Sequence, residues 1–428
     1  MRIVEGYQPV KELLSRQVSR QGFGGDDKER VVRDIIAAVR ERGDNALIEF
    51  TEKFDGVKLT SLEVDKKEIK RAAREVDAEL LTALKLASER ISDFHKVQKD
   101  ALVRDSTRQN LGWMMRPLQR VGVHAPGFTA PLPSSVLMTA IPARVAGVGE
   151  VVMTVPTPGG MRNPLVLAAA HVAGVQQGFA VGGAQAVAAL AFGTATVPRV
   201  DKIVGPGGTF VAAAKRLVFG AVGIDIIAGP SEVLIVADGS APVDWMALDL
   251  FSQAEHDAAA QAILLCPDPE YLDRVAAALV RLLPERPRAD IIRASLEQRG
   301  ALVQTRDLQE AVALANRIAP EHLELAVADP DALLPGIRHA GAIFVGAHSP
   351  EVMGDYAAGP SHVLPTFGTA RFSSPLGVYD FQKRSSVIRL SPEGAEAVGR
   401  TASVLARGEG LEAHALAAEA RMAELRDR

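Results

Sequence analysis

Val200-Asp-Lys-Ile-Val-Gly-Pro-Gly-Gly-Thr-Phe-Val-Ala-Ala-Ala-Lys215 decides how the rest of the chain is read. A short apolar run, Lys202–Val204, enters a turn holding Gly205, Gly207 and Gly208, and an Ala-rich helical stretch leaves it. Glycines there either serve a tight turn alone or let backbone N–H groups approach a phosphate. Similar runs recur on both sides. Arg120–His124, Val151–Val155, Gly178–Val181 and Asp225–Ala228 complete one series. Val233–Val236, Ile263–Cys266, Ala301–Gln304, Leu323–Val327 and Ala342–Val345 form a second, with helix-like segments between them. Short strands alternating with helices are the rhythm of βα units around a parallel sheet, so the expected class is α/β with two such units.

Helical patterns flank these units. In Asp27–Arg42 the residues Val31, Val32, Ile35, Ile36 and Val39 share a face, and Gly43 stops the run. Val76–Lys99 repeats the pattern with Leu80, Leu81, Leu84, Leu86, Ile91 and Phe94. Ser391-Pro392-Glu393 starts a helix reaching about Ala406, with Ser as cap and Pro in the first turn, and a last helix begins near Leu411.

The 428 residues are 47% hydrophobic and 23% charged, a globular composition with ample core. Lys+Arg 48 against Asp+Glu 52 gives a net charge of −4, which carries no electrostatic footprint for nucleic acid. The most apolar stretches, Pro164–Val175 and Val181–Phe192, are broken by His, Gln and Gly before spanning length, so no membrane partner is expected. Met1–Arg20 has no uninterrupted apolar core of a secretory signal, and the single cysteine, Cys266, permits neither an internal disulfide nor a thiolate metal cage. A soluble cytoplasmic protein is expected.

No complete dinucleotide fingerprint follows a strand. Its one match, Gly408-Glu-Gly-Leu-Glu-Ala413, follows a helix and is read as accidental. Among nine histidines, four keep telling company. Ser252-Gln-Ala-Glu-His256-Asp reads as helix, placing Gln253 and His256 on one side. Asp355 and His362 flank a Gly/Pro-rich loop, and His414 opens the last helix. Two imidazoles, a carboxylate and an amide oxygen can form a sulfur-free zinc site suited to catalysis, although these residues are scattered along the sequence. In Ile318-Ala-Pro-Glu-His-Leu-Glu324 an acid stands beside an imidazole. Local pattern favours a solvated helix start with acids near its positive end; the sharper reading is an acid/base pair addressing one substrate.

Taken together, the segments resemble the histidinol dehydrogenase family from about residue 25 onward. The blocks are Ala130-Pro-Leu-Pro-Ser-Ser-Val-Leu-Met, Gly182-Gly-Ala-Gln-Ala, Val200-Asp-Lys-Ile-Val-Gly-Pro-Gly, Ala228-Gly-Pro-Ser-Glu232, Ser252-Gln-Ala-Glu-His256, Ala319-Pro-Glu-His-Leu-Glu324, Gly354-Asp-Tyr, His362-Val-Leu-Pro-Thr366 and Gly408-Glu-Gly-Leu-Glu-Ala-His414. The resemblance implies two incomplete Rossmann-like α/β domains with helical ends. It divides the chain into an N-terminal segment 1–22, a discontinuous domain 23–123 and 233–375 carrying metal and catalytic residues, a cofactor domain 124–232, and a tail 376–428 reaching the partner subunit of a homodimer. It further implies one zinc ion per subunit on Gln253, His256, Asp355 and His414, and paired bases Glu321 and His322. Substrate contacts fall on Ser231, Glu409, His322 and the metal ligands, and NAD contacts on His124, Gln185 and Gly208. The implied reaction is oxidation of L-histidinol through its aldehyde to L-histidine. Three positions depart from the family pattern: His124 replaces a Tyr, and Gly208 and Ser361 each replace an Asn. The alternatives are a related zinc- and NAD-dependent dehydrogenase of another small alcohol, or a homologue that binds metal or ligand without catalysis.

Overall fold

The computed structural model describes residues 1–6, 8, 11–12, 26–102, 105–108, 111–126 and 132–423. Most of the N-terminal segment 1–22 lies outside these residues, as do Ala130 and Pro131 of the first family block. The chain forms two compact units, Met1–Lys99 with Pro117–Phe381, and Asp100–Arg116 with Gln382–Arg428.

In chain order the strands are β1 (Arg2–Glu5), β2 (Glu63–Val64), β3 (Ser106–Arg108), β4 (Leu111–Pro117), β5 (Arg120–His124), β6 (Glu150–Thr154), β7 (Gln177–Phe179) and β8 (Lys202–Val204). They continue as β9 (Gly223–Ile224), β10 (Glu232–Ala237), β11 (Gln261–Cys266), β12 (Ala301–Gln304), β13 (His322–Ala326), β14 (Ala342–Val345) and β15 (Gln382–Ile388). The first unit holds two six-stranded sheets, ordered β1-β12-β11-β10-β13-β14 and β2-β7-β6-β5-β8-β9. Apart from the edge strands β1 and β2, each sheet is five parallel strands in the order third, second, first, fourth, fifth. That is the doubly wound nucleotide-binding order lacking its sixth strand, so both domains are incomplete Rossmann-like folds.

Burial on both faces explains the continuous apolar runs. In β10, Val233 and Ile235 join one core while Leu234 and Val236 join the core on the opposite face, as strand alternation requires. The helix Asp26–Arg42 buries Val32, Ile35 and Val39 in one cluster with Val152 and Ile203 of the second sheet and Leu190 of the helix Gly183–Phe192. The division that assigns 23–123 to the domain of 233–375 therefore cuts across this core. Apolar contact follows the helix faces here, not the family blocks. The helix expected over Val76–Lys99 runs Ala78–Leu102, and its buried stripe is Leu84, Ala87, Ile91 and His95, leaving Leu80, Leu86 and Phe94 exposed. The strand expected at Asp225–Ala228 is instead Gly223–Ile224, because the Asp225 carboxylate turns back to bind the Gly205 N–H.

The second unit joins the sheet β15-β4-β3 to the helices Pro392–Gly408 and Glu412–Ala423. Ser391 caps the first of these by accepting from the Gly394 N–H. Gly399 lets the helices approach, since a Cβ there would lie 2.9 Å from Met422 Sδ. Among the described residues, no helix is long and apolar enough to cross a membrane.

Candidate active site

The charged cluster forms at the amino edge of the first sheet. Glu321 ends the loop that enters β13, and His322 is that strand's first residue, both buried. The local expectation of a solvated helix start is overturned. Ala319 at φ 51° closes the preceding helix, Leu308–Ile318, and the chain then enters the sheet beside β10. His322 Nδ1 donates to the Glu232 carbonyl at 3.0 Å, and the Glu232 N–H donates to Glu321 Oε2 at 2.8 Å. His322 Nε2 faces Asp355 Oδ1 at 3.2 Å, while Glu321 Oε2 and Glu351 Oε2 each stand 3.7 Å from Nδ1.

Gln253 and His256 reach the same edge for a topological reason. The helix Val243–Ala254 follows β10 and runs back across the sheet, so its C-terminal end returns to where the strands begin. The sequence pattern extends this helix through His256. It stops at Ala254, and the His256 N–H donates to the Gln253 carbonyl at 3.3 Å in the following turn. Asp355 lies on a single π-turn, Gly354–Ala358, a local distortion common at functional sites. Its carbonyl accepts from His362 Nδ1 at 3.0 Å, and His362 Nε2 accepts from the Ser135 hydroxyl at 3.2 Å. Ser231 immediately precedes β10, its carbonyl taking the Gln261 N–H.

Burial and charge set the protonation of the cluster. Burial pushes Glu321 up to about 8, against the pull of His322 and the Glu232 N–H. It also raises Glu351 to about 7 and Asp249 to about 7, and lifts Glu324 well above the carboxylate range together with the nearby Asp249 and Glu351. Burial works against charge on His322, but Glu321, Glu351 and Asp355 outweigh it and hold the imidazole well above its ordinary value. Desolvation is the largest single influence on Asp355 and raises it, but His322, His362 and His256 together outweigh it and hold the carboxyl below its ordinary value, so it stays ionised. Desolvation lowers His256 and His362, favouring neutral rings. Neither Glu351 nor Asp249 is marked by the sequence pattern, and Glu324 is taken there for a solvated acid, yet an acid inside the apolar run Leu323-Glu-Leu-Ala-Val327 is a visible signal of burial.

A different site opens at the carboxyl edge of the second sheet. There β7 leads through Gly182 to the helix Gly183–Phe192, and β8 leads through Gly205–Gly208 to the helix Thr209–Val218. The two helix starts and the N-terminal helices enclose a cavity of about 460 Å³ lined by Val31, Phe54, Gln185, Gly208, Thr209 and Phe210 among others. Val31, Phe54 and Phe210 are 43%, 44% and 42% exposed, so apolar surface is offered to a ligand. Space around Gly208 is open for a Cβ, while Gly183 at φ +67° lies beneath the Gln185 amide. His124 ends β5, buried, with Nδ1 3.2 Å from Thr154 Oγ1; burial and the Lys215 charge lower it to about 4. A larger depression of about 600 Å³ between Arg199 and Gly223 opens at the opposite edge of this sheet, away from all of these residues. Lining by Val31, Phe54 and Phe210 was not anticipated, because an apolar helix position looks the same whether core or ligand covers it.

The structure thus brings Gln253, His256, Glu321, His322 and Asp355 to one edge, and Gln185 and Gly208 to one cavity. Glu409 and His414 belong to the second unit, both exposed, Glu409 capping the C-terminal end of the helix Pro392–Gly408 and His414 in the first turn of the last helix. Among the described residues, no group of three or more His, Cys, Asp or Glu side chains is arranged to hold a metal. The first unit does supply a mixed donor set. Gln253 Oε1 is buried without any hydrogen-bond partner, an acceptor left for a cation, beside a neutral imidazole and an ionised carboxylate.

Comparison with known proteins points the same way. The family model for histidinol dehydrogenase matches residues 18–422. The histidinol dehydrogenase of Pseudomonas aeruginosa is 58% identical over 414 residues, covering 96% of this chain and 94% of that protein. That of Chromobacterium violaceum is 58% identical over 399 residues, 92% of each. The crystal structure of histidinol dehydrogenase from Elizabethkingia anophelis superposes with a TM-score of 0.92 at 34% identity, over 99% of this chain and 98% of that one. With two five-strand parallel units, a Glu–His–Asp edge and a family model matching residues 18–422, the chain belongs to the histidinol dehydrogenase family.

Proposed function

We propose that the protein oxidises L-histidinol to L-histidine with NAD⁺, using the amino-edge cluster as its catalytic centre. The observation that carries this reading is the buried Glu321–His322 pair facing the partly exposed Asp355, beside the orphaned Gln253 amide oxygen. Alcohol to carboxylate is a loss of four electrons, and a nicotinamide takes two as hydride, so one histidinol requires one water and two NAD⁺. Gln253, His256 and Asp355 would hold a zinc ion, and Gln185 with Gly208 would border the dinucleotide. When bound, the metal supplies fixed positive charge for the substrate's nitrogen donors and the nicotinamide supplies a hydride acceptor.

The chain's own groups do the proton work. Nδ1 of His322 is committed to the Glu232 carbonyl, so Nε2 is the nitrogen that exchanges a proton with the cluster; the surrounding carboxylates favour its protonated form, and it accepts as a base only after that proton has been released. Nε2 takes the hydroxyl proton in the first oxidation, and a proton from the aldehyde hydrate in the second. Glu321, raised by burial, is a strong enough base to draw a proton from the water that adds to the aldehyde. The resemblance, and not the geometry, assigns Ser231 to substrate, and Glu409 and His414 to the site of a second subunit in a homodimer.

The test is the ratio of NADH formed to L-histidinol consumed. Two per substrate, abolished by chelation and restored by zinc, is the expected result. One per substrate would remove the second oxidation, and turnover only with another amino alcohol would give the related-dehydrogenase reading. For the tail, inactive His322→Ala and His414→Ala chains are mixed and reassociated; exchange predicts recovery at roughly a quarter of sites. No recovery despite proven exchange of subunits would place the tail's action within its own chain.

A further inference from the structure

The Gly205 turn is held from behind by a buried ion pair that no step of the reaction uses. Lys215 is 2% exposed, and its ammonium faces the equally buried Asp225 carboxylate. Each partner also binds one side of the same glycine. Lys215 Nζ donates to the Gly205 carbonyl at 3.1 Å, and the Gly205 N–H donates to Asp225 Oδ2 at 2.8 Å. Gly205 sits at φ +115°, and a Cβ there would meet the His124 carbonyl oxygen at 2.4 Å, so no side chain can help to hold the turn. Two residues on, a Cβ at Gly207 would lie 2.4 Å from Val211, so the turn is already closed onto the helix that follows. The cavity-lining Gly208, Thr209 and Phe210 follow this turn directly.

We propose that the Lys215–Asp225 pair positions the cofactor site. By fixing both backbone groups of Gly205, it sets where the first N–H groups of the helix Thr209–Val218 stand against a bound dinucleotide. The inference rests on reading that cavity as the NAD⁺ site, and it names Lys215 and Asp225 as positioning residues, not contacts. A buried ion pair is a poor source of stability compared with apolar residues of like size, whereas its two-point grip on one peptide position is specific. Apolar replacement should therefore spare the fold and loosen the turn.

The experiment compares two double variants of the full-length, zinc-loaded enzyme. Lys215→Met with Asp225→Leu removes both grips. KM and calorimetric Kd for NAD⁺ should rise about tenfold, the effect of roughly one well-placed hydrogen bond, while kcat at saturating NAD⁺ and KM for L-histidinol stay within about twofold. Lys215→Gln with Asp225→Asn keeps a donor for the Gly205 carbonyl and an acceptor for its N–H without charge, and should return both NAD⁺ constants to within about threefold of wild type. If the apolar pair fails to fold, Lys215→Met with Asp225→Asn, which keeps only the N–H grip, carries the test with an expected rise of about threefold or more. Unchanged NAD⁺ constants in a folded variant would overturn the proposal. So would a parallel rise in both KM values with a lowered Tm, the mark of a merely structural pair. A wild type that does not bind NAD⁺ at all would show instead that the cofactor reading had failed, and the proposal would fall with it.

Discussion

The two sheets of the first unit share a strand order yet carry their candidate sites at opposite edges. In the second sheet the carboxyl edge is open, where glycine turns pass into helix starts; this is the usual place for a ligand in a doubly wound fold. In the first sheet the cluster lies at the amino edge, where His322 begins β13 and Glu232 begins β10. Helix dipoles give the difference a physical sense. A carboxyl edge receives helix N-termini, with free N–H groups suited to phosphate, and an amino edge receives helix C-termini, such as that of Val243–Ala254, suited to a cation. One topology thus yields two complementary environments. The two meet through Ser135, which begins the helix after β5 and holds His362 against the Asp355 carbonyl.

The comparison breaks first at the cation. If the amino edge holds a metal, His256→Ala should lose bound zinc and turnover together while NAD⁺ binding at the other edge persists. The loss should exceed the roughly 10–100-fold that removal of a supporting outer residue costs. Metal analysis and NAD⁺ calorimetry on one sample decide it; retained zinc, or joint loss of NAD⁺ binding, would erase the division of labour.

Next come the bases. His322→Asn should lower both half-reactions by on the order of 10²–10⁴-fold with KM for NAD⁺ unchanged. Glu321→Gln should impair aldehyde oxidation by a comparable factor but spare reduction of the aldehyde to the alcohol, which requires no water. Stopped-flow measurement of each half-reaction separates the two residues. Equal damage to both directions by Glu321→Gln would withdraw its assignment to hydration.

A smaller effect is expected at the other edge. Phe210→Ala removes an apolar wall of the cavity and should raise KM for NAD⁺ by about tenfold, leaving KM for L-histidinol alone. Unchanged NAD⁺ affinity would move the cofactor away from this cavity.

What could be read beforehand follows from how locally each feature is encoded. β5, β8, β12 and β14 were legible to the residue, because each is a short apolar run between turn residues; the first three are buried on both faces, whereas β14, at the sheet edge, leaves Ile343 and Val345 exposed. Asp225 was misread as strand because its carboxylate serves Gly205, 20 residues earlier, a contact that no local pattern records. Composition and spacing alone left Glu321-His322 as a solvated helix start. Their burial depends on β10 and β14 lying alongside, which is a property of sheet order. The helix end at Ala254 was likewise missed, since the turn carrying His256 preserves the three-residue spacing.

The last contrast is a difference of sign between the edges in how stability follows pH. Glu321 ionises near 4.5 in an unfolded chain but near 8 when buried here. Between those values the unfolded chain has released a proton that the folded one keeps. The stabilisation is therefore complete below pH 4.5 and is lost as pH rises through about 8. His124 behaves oppositely: its ordinary value of 6.5 falls to about 4, mainly through burial and then through Lys215. Its contribution is complete above pH 6.5 and is lost as pH falls through about 4, because the unfolded chain then binds a proton that the folded one refuses. Denaturant unfolding of the metal-free protein from pH 4 to 8 reads both. Glu321→Gln should flatten the decline toward alkaline pH, only partly, since Glu351 and Asp249, each raised to about 7, still titrate in the same sense. His124→Asn should flatten the decline toward acid and leave the alkaline limb untouched. Variants that shift the whole curve without changing either limb would mean that neither residue titrates differently in the fold, and the electrostatic contrast between the edges would be lost.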